Sequence, residues 1–183
     1  MKRHVRRELR ATAFHEAGHA VAAVWNHVRL HSASIQADGN TLGRVHHANV
    51  LKGRDLEWDA SNANEQRMRR LVMVSLAGPA SERLYRLRNR LPKWSVEQSR
   101  HDYHNAINLL GYFVGSNEQL EADLQAMEAQ AGVFVRDHWH EIQAVAEALL
   151  RHETSGPRAI RQIIAIAGQR KGLAILRRRG ALD

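Results

Sequence analysis

His15 and His19 stand four residues apart in the segment TAFHEAGHAV (12–21), with Glu16 directly after the first. On a helix, residues i and i+4 project from one face, so the two imidazoles can each place a nitrogen about 2.0–2.1 Å from a single zinc ion. Glu16 would sit about 100° round the helix from His15, where it can reach a metal-bound water without replacing it. Zinc lowers the pKa of its bound water to about 7, so a neighbouring carboxylate can take the proton and deliver hydroxide to a peptide carbonyl polarised by the same ion. The pattern therefore predicts a hydrolytic zinc site with Glu16 as general base. The plainer alternative is a core helix with two hydrogen-bonded histidines, because the bare five-residue pattern also recurs by chance.

A third ligand must come from elsewhere in the chain. There is no cysteine, so thiolates and disulfides are excluded and a metal has only nitrogen and oxygen donors. The metzincin extension is excluded too, since Ala22 and Trp25 stand where it requires glycine and histidine. Asp102 is the first choice. It extends an apolar helical row of Ala106, Leu109, Leu110 and Phe113, so it points inward, and a buried acid needs a cationic partner. Its structural alternative is to cap a helix start beside Ser99. Glu82 in AGPASERL is the next candidate, with pairing to Arg83 or Arg86 as its alternative role. His101 and His104 flank Asp102 off its row, and His46 and His47 can at most approach substrate.

Several elements must position these residues. Phe14, Ala17, Gly18, Val21, Ala22, Val24 and Trp25 recur at helical spacing, which predicts a helix from about Thr12, as cap, to Asn26. Gly18 lowers helix propensity by about 1 kcal/mol relative to alanine, a cost that makes sense where another backbone comes close. HSASIQAD and TLGRVHHA, joined by Asp38-Gly39-Asn40, predict a β-hairpin. Residues 49–65 read as an irregular loop. A helical pattern over 65–90 is interrupted by Pro79, predicting a kink or two helices meeting at Gly78-Pro79. A long pattern over 118–152 has its expected break near Gly132, and Pro157 opens a last helix holding Ile160, Ile163 and Ile164. The fold class expected is mainly α-helical (α+β), with one small sheet.

Length and charge limit the rest. A chain of 183 residues suits one compact unit. The 27 Lys and Arg outnumber the 19 Asp and Glu, giving +8, which favours acidic partners without choosing among them. The basic start MKRHVRRELR leads into no continuous apolar stretch, so a secretory signal is rejected and a cytoplasmic location expected. No apolar run approaches the roughly 20 residues of a membrane-spanning helix. Basic and aromatic residues do not interleave, which disfavours nucleic-acid stacking.

Taken in order, FHEAGHAV, LGRV, LAGPASE, HDYHNAI and HWHEIQAVAEALLRHETSGPRAIRQII resemble the peptidase domain of the FtsH-type zinc metalloproteases, over about residues 10 to 168. The resemblance implies one zinc ion held by His15, His19 and Asp102, with Glu16 as base. It also implies a small sheet beside the zinc cleft, where Leu42, Gly43, Arg44, Val45 and His46 would hold an extended protein or peptide substrate by strand addition. The chain departs from the family in having Pro79 where a basic residue is common and SRHDYHNA around the aspartate. It contains no G-x-x-x-x-G-K-[ST] segment, so a separate ATPase or unfoldase is the partner the resemblance implies. The expected organisation is a basic segment over 1–10, the peptidase-like domain over 11–169 and a basic tail over 170–183. The leading expectation is a zinc metalloendopeptidase acting on unfolded or flexible segments. Its alternatives are a regulatory protease for one dedicated protein and a non-catalytic binding module. Oligomeric state is left open.

Overall fold

The computed structural model describes residues 3–37, 43–53 and 61–178. Among the described residues six α-helices, α1 (Arg3–Trp25), α2 (Asn62–Arg88), α3 (Arg100–Leu110), α4 (Asn117–Asp137), α5 (Trp139–His152) and α6 (Pro157–Arg178), accompany a sheet of β1 (Leu30–Ser34), β2 (Arg44–His47) and β3 (Thr154–Ser155), which packs against α1, α5 and α6. The molecule is thus mainly helical with one small antiparallel sheet, as the hydrophobic periodicity predicts.

Helix α1 is the central element. Ala11, Ala13, Phe14, Ala17, Ala20, Val21, Ala22 and Ala23 are all buried, so from Ala11 onward it is apolar around most of its circumference. A helix of that kind belongs inside a core, and α1 packs against α2, α5 and β1. Phe14 stacks on Tyr85 of α2 at 4.3 Å between ring centroids and on Trp139 of α5 at 5.1 Å, tying three helices together. The helix begins at Arg3 rather than near Thr12. Thr12 does not cap it; its hydroxyl donates back to the Glu8 carbonyl at 3.2 Å, a bond typical of a helix interior.

Helix α2 runs unbroken through Gly78-Pro79, so two helices do not meet there. Pro79 leaves the Ser75 carbonyl without its helical donor, at a cost of about 3 kcal/mol. Burial of Met68, Leu71, Val72, Val74 and Leu76 on the same helix, at about 1.5–3 kcal/mol each, outweighs it. The break in the next long pattern falls at His138, not near Gly132. Buried Met127, Ala131 and Val135 carry α4 across Gly132, whereas the His138 ring lies between Trp25 and Phe134 at 4.5 and 4.4 Å.

The sheet order is β2-β1-β3, all pairs antiparallel, which makes β2 an edge strand among the described residues. Its partner β1 matches Ala33 to Val45 and Ser34 to Arg44, with a register shift between Leu30 and Ser32. The turn Asp38-Gly39-Asn40 and Leu42 lie outside the described residues. Strand β3 is too short to leave a periodic signal; it is joined to β1 through Ser34 and Thr154 hydroxyls 2.8 Å apart. Among the described residues no helix is long and apolar enough to cross a membrane.

Candidate metal centre

Helices α1 and α2 lie antiparallel and unusually close. A Cβ at Gly18 would stand 2.4 Å from the Ala77 carbonyl oxygen and 2.3 Å from Ser81 Oγ, and a Cβ at Gly78 would stand 2.2 Å from His19 Nε2. Glycine on both faces is what lets the His19 ring lie against the α2 backbone. There His19 Nδ1 donates to the Val74 carbonyl at 2.6 Å, one residue before the carbonyl that Pro79 leaves without a donor. One turn earlier on α1, His15 Nδ1 donates to Glu82 Oε2 at 3.0 Å.

Both acceptors are oxygens that carry no proton, so each imidazole has its hydrogen on Nδ1 and turns the Nε2 lone pair the other way. The two Nε2 atoms meet 3.1 Å apart. Asp102, in the first turn of α3, completes the group: Oδ2 is 3.1 Å from His15 Nε2 and Oδ1 is 3.4 Å from His19 Nε2. In a tetrahedral zinc site with bonds of about 2.0–2.1 Å, ligand atoms stand roughly 3.3 Å apart. The two Nε2 atoms, and the Asp102 oxygen nearest each of them, stand close to that spacing, and one ligand atom from each of the three residues lies within 4.8 Å of the others; the second nitrogens of the two histidines have the outer hydrogen bonds typical of metal-bound histidine.

Three lone-pair-bearing atoms facing one another in a buried site repel unless a cation sits among them. Without a metal, the cation is a proton. Burial pulls the His15 pKa down, but hydrogen bonds that it donates to the Asp102 and Glu82 carboxylates overcome it and push it up to about 10. His19 is also raised, its burial outweighed by the Asp102 charge. Asp102 is correspondingly held far below the usual carboxylate range: burial opposes ionisation, but the two histidines more than compensate. A divalent ion can take the place of that proton, and His15, His19 and Asp102 form the one such group among the described residues.

Glu16 is buried beside this group. Burial raises its pKa above the ordinary value, against the opposing pull of His19 and His15. Its carboxylate lies against Gly43, where an added Cβ would meet Oε1 at 2.7 Å. Gly43, Arg44, Val45 and His47 line the cleft of about 810 Å³ into which His15, Glu16, His19 and Asp102 also open, a volume in the usual range for ligand sites. His46 does not line it: it stands exposed on β2, whereas its neighbours Val45 and His47 are partly buried against the cleft. The His47 pKa is lowered by burial, and its Nδ1 donates to the Ala48 carbonyl at 3.1 Å. His101 also lines the cleft, while His104 hydrogen-bonds Asn108 on the exposed side of α3.

Asp102 does not cap α3; Ser99 occupies that position without a side-chain capping bond. The adjacent Tyr103 fastens the helix instead. Its hydroxyl donates to Glu128 of α4 and accepts from Arg83 at 3.0 Å, while the Arg83 guanidinium lies over Trp94 at 4.5 Å. Glu82 is not on the surface: it is buried and serves His15 and Arg86 together, the latter at 2.7 Å. The Val74 carbonyl and Gly78 escaped the sequence reading. No residue type marks the Val74 carbonyl as an acceptor, since Pro79 frees the neighbouring Ser75 carbonyl instead.

No protein-family model matches the chain. Among curated proteins it is similar to the ATP-dependent zinc metalloprotease FtsH of Rickettsia prowazekii (strain Madrid E), 25% identical over 197 aligned positions covering 87% of this chain and 29% of the relative. The same protein of Rickettsia felis (strain ATCC VR-1525 / URRWXCal2) matches with equal identity and coverage. The chain therefore spans less than a third of the length of these relatives. The similarity supports a distant relationship to a zinc metalloprotease, in the direction of the resemblance read from the motifs.

Proposed function

We propose that this protein is a zinc-dependent metalloendopeptidase that cuts unfolded or flexible protein segments. The observation that carries the proposal is the convergence of two Nε2 atoms and the Asp102 carboxylate, with Glu16 and the β2 residues Arg44, Val45 and His47 lining the same cleft. His15, His19 and Asp102 hold the ion; Glu82 and the Val74 carbonyl fix the histidine tautomers. Zinc, when bound, supplies Lewis acidity, making water acidic and a carbonyl electrophilic. Glu16 receives the proton of the attacking water on its carboxylate and passes it to the leaving amine, a role suited to a buried carboxylate of raised pKa.

Substrate binding follows from β2. An extended segment can add to its outer edge by backbone hydrogen bonds, which give affinity with little sequence preference. A folded substrate cannot offer such a strand, so loose chains, or chains opened by a separate unfoldase, are the substrates. The test is zinc content and casein cleavage for the wild type, Glu16→Gln and Asp102→Ala. Glu16→Gln keeps zinc and loses about 10²–10⁴-fold in turnover, whereas Asp102→Ala loses zinc and activity together. Cleavage by Glu16→Gln at the wild-type rate, or a wild type with no zinc affinity, overturns the proposal.

A further inference from the structure

The oxygen of Glu82 that faces away from His15 is also held. Glu82 Oε1 accepts from Arg86 Nε at 2.7 Å, and the same guanidinium donates through Nη1 and Nη2 to Glu8 Oε1 and Oε2 at 3.3 and 2.5 Å. Arg86 is 4% exposed, and the chain Glu8–Arg86–Glu82–His15 runs from the first half of α1 across α2 and back to the metal group.

We propose that Arg86, anchored by Glu8, is a positioning residue for the metal centre: it locks the Glu82 carboxylate so that Oε2 holds His15 Nδ1–H and the Nε2 lone pair faces the ion. The inference rests on the zinc reading above. A carboxylate with a single partner can turn about its last torsion, and a buried one is costly to leave half-satisfied. Arg86 removes both freedoms, because a planar fork gripped in two places on Glu8 presents its Nε in one direction. Lysine has the charge without the plane, so it cannot bridge two carboxylates at fixed angles. Glu8 lies seven residues before His15, which is two turns along the same helix. The basic N-terminal stretch thereby contributes a residue to the site.

A simple clamp between α1 and α2 would use the same bonds, so the test must read the metal. Zinc dissociation constants are measured on the full chain with a chromophoric chelator for the wild type, Glu82→Gln, Arg86→Met, Arg86→Lys, Glu8→Gln and the Glu82→Gln/Arg86→Met double variant. Glu82→Gln and Arg86→Met each weaken zinc by about 10–100-fold, the usual size for outer partners of a ligand. The double variant is no weaker than Glu82→Gln alone, because both changes remove one interaction. Arg86→Lys recovers only part of the loss, and the His15 ¹⁵N resonances lose their single-tautomer signature in Arg86→Met. Arg86→Met binding zinc within about twofold of the wild type, or losses that multiply in the double variant, overturn the proposal. If Arg86→Met does not fold, the partly exposed Glu8→Gln decides: a several-fold loss supports the proposal and unchanged affinity overturns it. No zinc binding by the wild type overturns the metal reading and this inference with it; a zinc-binding wild type with an unaffected Arg86 variant overturns this inference alone.

Discussion

Gly78→Ala is a one-carbon change that should displace His19, a proposed metal ligand, without replacing it. The new Cβ would stand 2.2, 2.4 and 2.7 Å from His19 Nε2, Cε1 and Cδ2, whereas ordinary contacts begin at 3.4 Å. The ring must therefore retreat by more than an ångström, and zinc sites tolerate only about 0.2 Å in ligand distance. The His19 bond to the Val74 carbonyl, 2.6 Å long, is drawn apart in the same movement. Losing it costs about 0.5–1.5 kcal/mol and overpacking the seam about 1–3 kcal/mol. Alanine returns about 1 kcal/mol of helix propensity, leaving a net destabilisation of about 0.5–3.5 kcal/mol. The fold survives while zinc affinity falls by more than the roughly 100-fold that outer-partner changes reach. Competition titration with a chelator reads the affinity, and thermal unfolding in excess chelator reads the fold. Gly156→Ala, with nothing within 4 Å of the added carbon, is the control. A Gly78→Ala protein that binds zinc within about threefold of the wild type refutes the claim that this glycine makes room for the ligand.

Three further outcomes follow from the same geometry. Gly43→Ala pushes a carbon toward Glu16 Oε1 from 2.7 Å, so peptide cleavage should fall while zinc content stays at the wild-type level; equal loss of both would show that Gly43 does not act through Glu16. Because His15 in the metal-free protein holds its proton up to about pH 10, zinc has to displace that proton at neutral pH. Apparent zinc affinity should then rise about tenfold per pH unit for each proton released. Calorimetry in buffers of different ionisation heat counts the protons, and a flat profile between about pH 6 and 8 contradicts the shift. Phe14→Ala empties the stack between Tyr85 and Trp139 and should cost about 3–5 kcal/mol in denaturant unfolding; a loss below about 1 kcal/mol would show that this stack does not tie the three helices.

What could be read in advance was local. The spacing of His15 and His19 and the inward placement of Asp102 depend only on helix periodicity, and the structure brings these three side chains to one point. Glu82 was legible only as a choice between metal ligand and arginine partner; it is the arginine's partner, and its second oxygen reaches His15. The early start of α1 was hidden because Arg3–Arg10 shows no apolar period, although arginine and leucine are good helix formers once a packed helix continues them. The Val74 carbonyl could not be found from residue types, because a backbone acceptor is present at every position and only tertiary approach selects one. The placement of the β2 residues depended on register. His46 and His47 are equivalent in composition, but His47 is partly buried and lines the cleft while His46 is exposed and does not.

The metal group and the core share one seam. His15 and His19 are separated by about 6 Å along α1, whereas their outer partners Glu82 and Val74, eight residues apart on α2, are separated by about 12 Å. The partners therefore reach in from beyond both rings, Glu82 with a long side chain and Val74 with a carbonyl beside the proline-interrupted turn. Any loosening of the α1–α2 approach frees both Nδ1 atoms together and turns the Nε2 lone pairs away from each other. The close approach allowed by Gly18 and Gly78 thus sets the histidine tautomers as well as the packing density. Asp102 arrives from a third helix fastened separately through Tyr103, Arg83 and Glu128. An ion bound there would link α3 to the α1–α2 pair, so its loss should be felt first in the docking of α3 and only afterwards in the seam.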